Sequence, residues 1–146
     1  MSARFADGVP RLNHVAMSLP AERLSPEGRA EIVEFYGDCF DWTELAEQTV
    51  DRERLVLAVG HWDHFVFLHA ERESMRAPRL DHFGMSVRSR ADLDGAWSRV
   101  AAWAGRDDRI DTIDPHVDDF GPVKIHAFYV RHLLPLTVEV QYWEMT

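Results

Sequence analysis

Three residues have the right types to hold a metal ion: His14, His82 and Glu139. His14 lies in Leu12-Asn13-His14-Val15-Ala16-Met17-Ser18-Leu19, and His82 in Leu80-Asp81-His82-Phe83-Gly84-Met85-Ser86-Val87. The two segments share Leu, His, Met and Ser at four of eight positions, and most other exchanges are conservative. Read as strands, they place Leu12, His14, Ala16 and Ser18 on one face, and Leu80, His82, Gly84 and Ser86 on the equivalent face. In the last apolar run, Thr137, Glu139 and Gln141 fall on one side and Val138, Val140 and Tyr142 on the other. If the apolar sides pack on helices, the remaining face carries a histidine from each repeat and a carboxylate. Two imidazoles and a carboxylate with open coordination positions suit non-haem Fe(II), and Mn(II), Zn(II), Co(II) or Ni(II) also accept N and O ligands. Open positions let a substrate bind the metal directly and be polarised or oxidised. A single strand histidine is more often a hydrogen-bonded surface residue, and a glutamate between valines is more often exposed. The matched positions of the two histidines weigh against that reading.

The elements that must position these residues also repeat. Ser25-Pro26-Glu27 is a helix start, with Ser as N-cap and Pro at the first helical position, and Ile32, Phe35, Tyr36 and Cys39 follow at helical spacing. Ser89-Arg90-Ala91-Asp92 opens a second helix with the stripe Leu93, Ala96, Trp97, Val100, Ala101 and Ala104, and Gly105 can end it. Three strand-like runs follow each helix: roughly 42–50, 54–59 and 64–70, then roughly 109–114, 124–131 and 136–143. Gly60 to Asp63 reads as a hairpin turn, Asp118 to Pro122 as a longer one, and the polar stretch from Glu71 to Arg79 joins the halves. The expectation is an α+β fold: one domain over residues 1–146, built of two tandem βαβββ modules, about 11–70 and about 80–144, related by a pseudo-twofold axis.

The composition bounds the partners. The chain of 146 residues is 46% hydrophobic with a net charge of −9, so it repels phosphate backbones and is expected to bind no nucleic acid. No apolar run reaches membrane-spanning length, and Met1 to Arg11 has no apolar core of signal-peptide type. A single cysteine, Cys39, fits a reducing compartment. A cytoplasmic protein acting on a small molecule is expected, with no membrane partner.

From Leu12 to Trp143 the sequence resembles the vicinal oxygen chelate superfamily, which includes glyoxalase I, fosfomycin-resistance enzymes, methylmalonyl-CoA epimerase and extradiol ring-cleaving dioxygenases. The resemblance rests on His14, His82 and Glu139 in their motifs and on Phe35-Tyr36 in the first helix. It implies a metal site on the first strand of each module and on the final strand. The pattern is most similar to the extradiol dioxygenases: His64 falls where they carry an acid–base histidine, and Tyr129 where they carry a tyrosine ten residues before the carboxylate ligand. The implied chemistry is cleavage of a metal-chelating catechol-like ring, with Fe(II) as the favoured metal, His64 moving protons and Tyr129 donating a hydrogen bond. The sequence departs from the family at Cys39-Phe40-Asp41-Trp42, where Leu-Gly-Phe is usual, and at Arg131 to Pro135, which replaces an Asp-Pro-x-Gly turn. Glyoxalase- and epimerase-like members often take a fourth ligand from the last strand of the first module. That strand offers His64 or His69 on opposite faces, with Phe67 in one alignment of the ligand position. A glyoxalase-like isomerase, an epimerase, a lyase and a non-catalytic resistance-type binding protein are therefore the alternatives. The resemblance also implies a homodimer.

Overall fold

The computed structural model describes residues 7–146; residues 1–6, part of the stretch read as lacking a signal-type core, lie outside them. The elements run β1 (His14–Leu19), α1 (Pro26–Phe40), β2 (Thr43–Glu44), β3 (Arg54–His61), β4 (His64–Ala70), then β5 (His82–Ser86), α2 (Arg90–Ala104), β6 (Asp111–Asp119), β7 (Val123–Arg131) and β8 (Thr137–Met145). One sheet has the order β1-β4-β3-β2 and the other β5-β8-β7-β6. In both, the first strand pairs parallel with the last, and the remaining pairs are antiparallel. The fold is α+β, two tandem βαβββ modules with the same connectivity, as the repeat predicts.

The helices begin where the capping chemistry places them. The Ser25 hydroxyl accepts from the Gly28 amide at 3.1 Å and that of Ser89 from the Asp92 amide at 3.0 Å, each satisfying a first-turn donor that has no partner within its helix. Helix α1 ends at Asp41, whose left-handed backbone (φ 58°) lets its amide reach the Gly37 carbonyl. Three expectations need adjusting. The run 42–50 yields only the short β2, because Ala46–Gln48 turns into a 3-10 helix. Gly60 and His61 belong to β3, so the first hairpin turn is shorter than read. The strand expected to end near residue 114 runs on to Asp119. Pro115 is tolerated there because β6 is an edge strand and carries a bulge between Ile113 and His116, so its missing amide breaks no essential ladder bond.

The two modules share one core. Ile32, Phe35, Tyr36 and Cys39 of α1 and Leu93, Ala96 and Val100 of α2 are buried, in one cluster with the helix-facing sides of both sheets. The Tyr36 hydroxyl donates to the His132 carbonyl at 2.6 Å, the Trp103 indole N–H to Asp38 at 2.6 Å, and Phe35 meets Trp103 edge-on at 5.5 Å. Among the described residues, no helix is long and apolar enough to cross a membrane.

Candidate functional site

Strand register decides which side chains share the inner faces. In the first module, His14, Ala16 and Ser18 lie beside Phe65, Phe67 and His69. In the second, His82, Gly84 and Ser86 lie beside Thr137, Glu139 and Gln141, and Tyr129 stands directly across from Glu139 on the neighbouring strand. The inner-face alternation expected for these strands is the one found. The shared face of Tyr129 and Glu139, which the sequence leaves open, is fixed by this register.

Glu139 is the most constrained of these groups, at 7% exposure. Its Oε1 accepts from the Gln141 Nε2 at 2.8 Å, and the Gln141 Oε1 accepts from the Trp143 indole N–H at 2.9 Å. An indole N–H can only donate, so Trp143 fixes which way the amide points and turns its NH2 toward the carboxylate. The other oxygen, Oε2, lies 3.1 Å from the His82 Nε2. The His82 Nδ1 lies 2.7 Å from the Leu80 carbonyl and donates to it. A neutral imidazole bonded this way has a bare lone pair on Nε2, facing a carboxylate oxygen. Two acceptors at that distance call for a cation between or beside them, either a proton or a metal. Two ligands at right angles on a metal, each about 2.1 Å away, lie about 3 Å apart. A histidine whose far nitrogen is tied to a carbonyl is also the usual second support of a metal ligand.

His14 is prepared in the same way: its Nδ1 lies 2.8 Å from the Asn13 Oδ1, leaving Nε2 free, and its ring stacks on Phe65 at 4.7 Å. His14, His64 and His82 line one cleft of about 420 Å3 between β1 and β5. The structure thus joins His82 to Glu139 and places His14 on the cleft with His82. Among the described residues, it gathers no three His, Cys, Asp or Glu side chains tightly enough to enclose an ion. The residue types are those a divalent metal takes, two imidazoles and an oriented carboxylate, but the structure pairs only His82 with Glu139 and leaves His14 elsewhere on the cleft.

Tyr129 faces Glu139 across the β7–β8 pair. Burial foremost, then the nearby Glu139 carboxylate, raises its pKa, so at neutral pH it remains a protonated donor. Its ring meets His82 edge-on at 5.3 Å and stacks on His116 at 5.7 Å with the planes 3° apart. His116 lies in the acidic stretch 114–119, where plain alternation from Ile113 would turn it to the outer face. The β6 bulge brings it to the inner face, a displacement that simple alternation cannot reveal. His64 starts β4 at the cleft mouth, with its Nε2 accepting from Arg11, and Arg11 also pairs with Asp63. By alternation it shares the helix-side face with Val66 and Leu68 rather than the face of His14. His69 lies on the inner face beside Ser18, its Nδ1 3.6 Å from Glu71.

Equivalent positions have unlike residues. Ala16 pairs with Phe67 as Gly84 pairs with Glu139, so Phe67 stands where the second module has its carboxylate. The inner face of the second module is thus a polar wall of His82, Tyr129, Glu139 and Gln141, and that of the first an aromatic wall of Phe65 and Phe67; of these six, His82 and Phe65 line the cleft itself.

No family model and no curated protein matches the sequence. Solved structures do match. A lactoylglutathione lyase from Agrobacterium tumefaciens superposes with a TM-score of 0.61 at 17% identity, over 93% of this chain and 96% of that one. A protein described as glyoxalase-family from Bacillus anthracis gives 0.64 at 18%, over 96% and 100%. The fosfomycin resistance protein FosX from Mesorhizobium loti gives 0.60 at 15%, over 92% of each. At such identities the likeness is one of architecture. The strand order, the parallel closure of each sheet and these superpositions agree that the chain has the fold of the vicinal oxygen chelate proteins.

Proposed function

We propose that this chain is a divalent-metal enzyme acting on a small substrate with two adjacent oxygens, and that it cleaves the ring of an aromatic 1,2-diol. The observation that carries the reading is the unlike pair of walls, with Glu139 on one module and Phe67 at the equivalent place on the other. A metal held there would leave room for the substrate's two oxygens, and the aromatic inner face of the first module would receive a flat ring. His14, His82 and Glu139 would hold the metal, with Fe(II) the favoured ion, and its chemistry there is to bind vicinal oxygens side by side and polarise them. Tyr129, kept protonated, donates to oxygen on the polar wall. Phe65 and Phe67 would cover the ring's face, and Gln141 keeps Glu139 aimed at His82. His64 lines the mouth of the cleft from the opposite face of β4 and is bonded to Arg11, so its part in moving protons is separate from metal binding and is tested on its own.

A second reading, isomerase or lyase chemistry on the same metal, is favoured by the fold's likeness to proteins named for lyase and fosfomycin-resistance activities. Protein purified without oxygen and loaded with Fe(II) should hold about one metal per chain and consume oxygen with a catechol among a panel of aromatic diols. His82→Ala and Glu139→Ala should lose the metal. His64→Ala should keep it and turn over about 10²–10⁴-fold more slowly. Full metal content in His82→Ala would remove the metal site. Metal binding without oxygen uptake, but with turnover of a hemithioacetal or an epoxide, would replace ring cleavage by the second reading.

A further inference from the structure

A second cavity, about 560 Å3, lies between the modules and shares no lining residue with the cleft of His14 and His82. It is bounded by the 3-10 turn after β1, the linker at 74–77, and the end of β7 with the loop that follows. Four arginines line it: Arg23, Arg76, Arg109 and Arg131. In a chain with 25 acidic and 16 basic residues, such a concentration of guanidinium groups runs against the overall charge. Arg109 is neutralised by Asp107 at 2.8 Å and Glu31 at 2.9 Å. The lining carboxylate, Asp111, is held bidentately by Arg79 at 2.7 and 2.8 Å. Arg23 and Arg131 bond only to backbone carbonyls, those of Leu133 at 3.4 Å and Ala77 at 3.0 Å. Arg76 has no hydrogen-bonded or ionic partner among the described residues. Arg23 and Arg76 thus border the cavity without a carboxylate to answer them, while Arg131 stands across from Asp111, which Arg79 already holds; each of the three has N–H donors to spare.

The rest of the wall is compact and partly apolar, with Met75, Leu133, Leu134 and Pro135, and Ser74 adds a hydroxyl. Leu133 adopts a left-handed backbone (φ 63°), which a leucine rarely does. The bond from Arg23 to its carbonyl and that from Tyr36 to the preceding carbonyl hold it there. We infer that this cavity binds a small molecule bearing an oxyanion, a phosphate or a carboxylate, through Arg23, Arg76 and Arg131. Planar guanidinium forks match the paired oxygens of either group.

The test uses chelator-treated protein, so that a metal-bound anion cannot contribute, with inorganic phosphate, phenyl phosphate and succinate as probes in calorimetry. Saturable binding is expected for at least one, beyond any effect of sodium chloride at matched ionic strength. Arg76→Ala should weaken it about tenfold, and Arg23→Ala with Arg76→Ala should abolish it. Arg88→Ala, a distant surface change, should leave it intact. His82→Ala should bind the probe as the parent does, so failure of the metal reading would not touch this one. A preference for phenyl phosphate assigns a phosphorylated ligand, and a preference for succinate a carboxylated one. Heats indistinguishable from chloride, or an unchanged affinity in the double variant, would overturn the proposal.

Discussion

Glu139 shows how much of a carboxylate's behaviour is set by its neighbours. Its direction depends on Gln141, and the direction of Gln141 depends on Trp143. Replacing Gln141 by Leu keeps the shape of the side chain but removes both bonds. We expect Gln141→Leu to fold normally and to bind metal about 10–100-fold more weakly, the usual cost of losing a supporting bond to a ligand. Competition against a metal-sensitive dye would measure this, and an unchanged affinity would show that Gln141 does not orient the carboxylate. At this scale the sequence was informative wherever strict alternation holds. His14, His82, Glu139 and Gln141 were all placed on the inner face by a period of two. Tyr129 was reached by its spacing from Glu139, while its register depended on a turn whose length is not written in residue types. His116 was missed because one bulged residue inverts every face beyond it.

Caps and bulges govern the elements. The Ser89 hydroxyl satisfies the Asp92 amide at the start of α2, and Ser89→Ala should cost about 1 kcal/mol in a denaturant titration. A cost near zero would mean that water replaces the cap fully. The bulge of β6 has a larger effect. Deleting Asp114 would remove the extra residue, restore plain pairing between β6 and β7, and leave His116 opposite Ala127 on the inner face. The expected outcome is a folded protein in which Tyr129 keeps its stacking partner. Its nuclear magnetic resonance ring shifts should stay close to the parent's, and a large change would show that the bulge sets more than the register. Both helix starts were legible because the capping serines stand next to the apolar stripe. The shortness of β2 was not legible, since Thr43 to Val50 has strand-compatible residues and only tertiary context turns 46–48 into a 3-10 helix.

For the whole molecule, the shared core makes the two modules one folding unit. Phe35 is fully buried between Tyr36, Trp103 and His132, which come from both modules. Phe35→Ala should cost about 3–5 kcal/mol and lower a single transition, so that fluorescence and circular dichroism remain coincident. Two separated transitions would show that the modules unfold independently. His132 adds a pH dependence. Burial lowers its pKa, with Asp107 acting in the opposite direction. The unfolded chain therefore takes up a proton near the ordinary histidine pKa, about 6.5, while the folded one resists. Stability from this group is full above that value and declines as pH falls through it. Unfolding free energies measured between pH 7.5 and 5.5 should fall toward acid, and His132→Asn should flatten the slope.

The parallel closure of each sheet also governs how the chain reaches this state. β1 must wait for β4, and β5 for β8, because the paired residues are about fifty positions apart and a parallel pair cannot be made by a tight turn. Helices form in about a microsecond, whereas such distant pairings belong to the millisecond-to-second range. In a refolding experiment the helical signal should therefore recover first. His82 and Glu139 sit on the two strands that meet last in their module, so the ability to capture a metal should appear only in the slow phase.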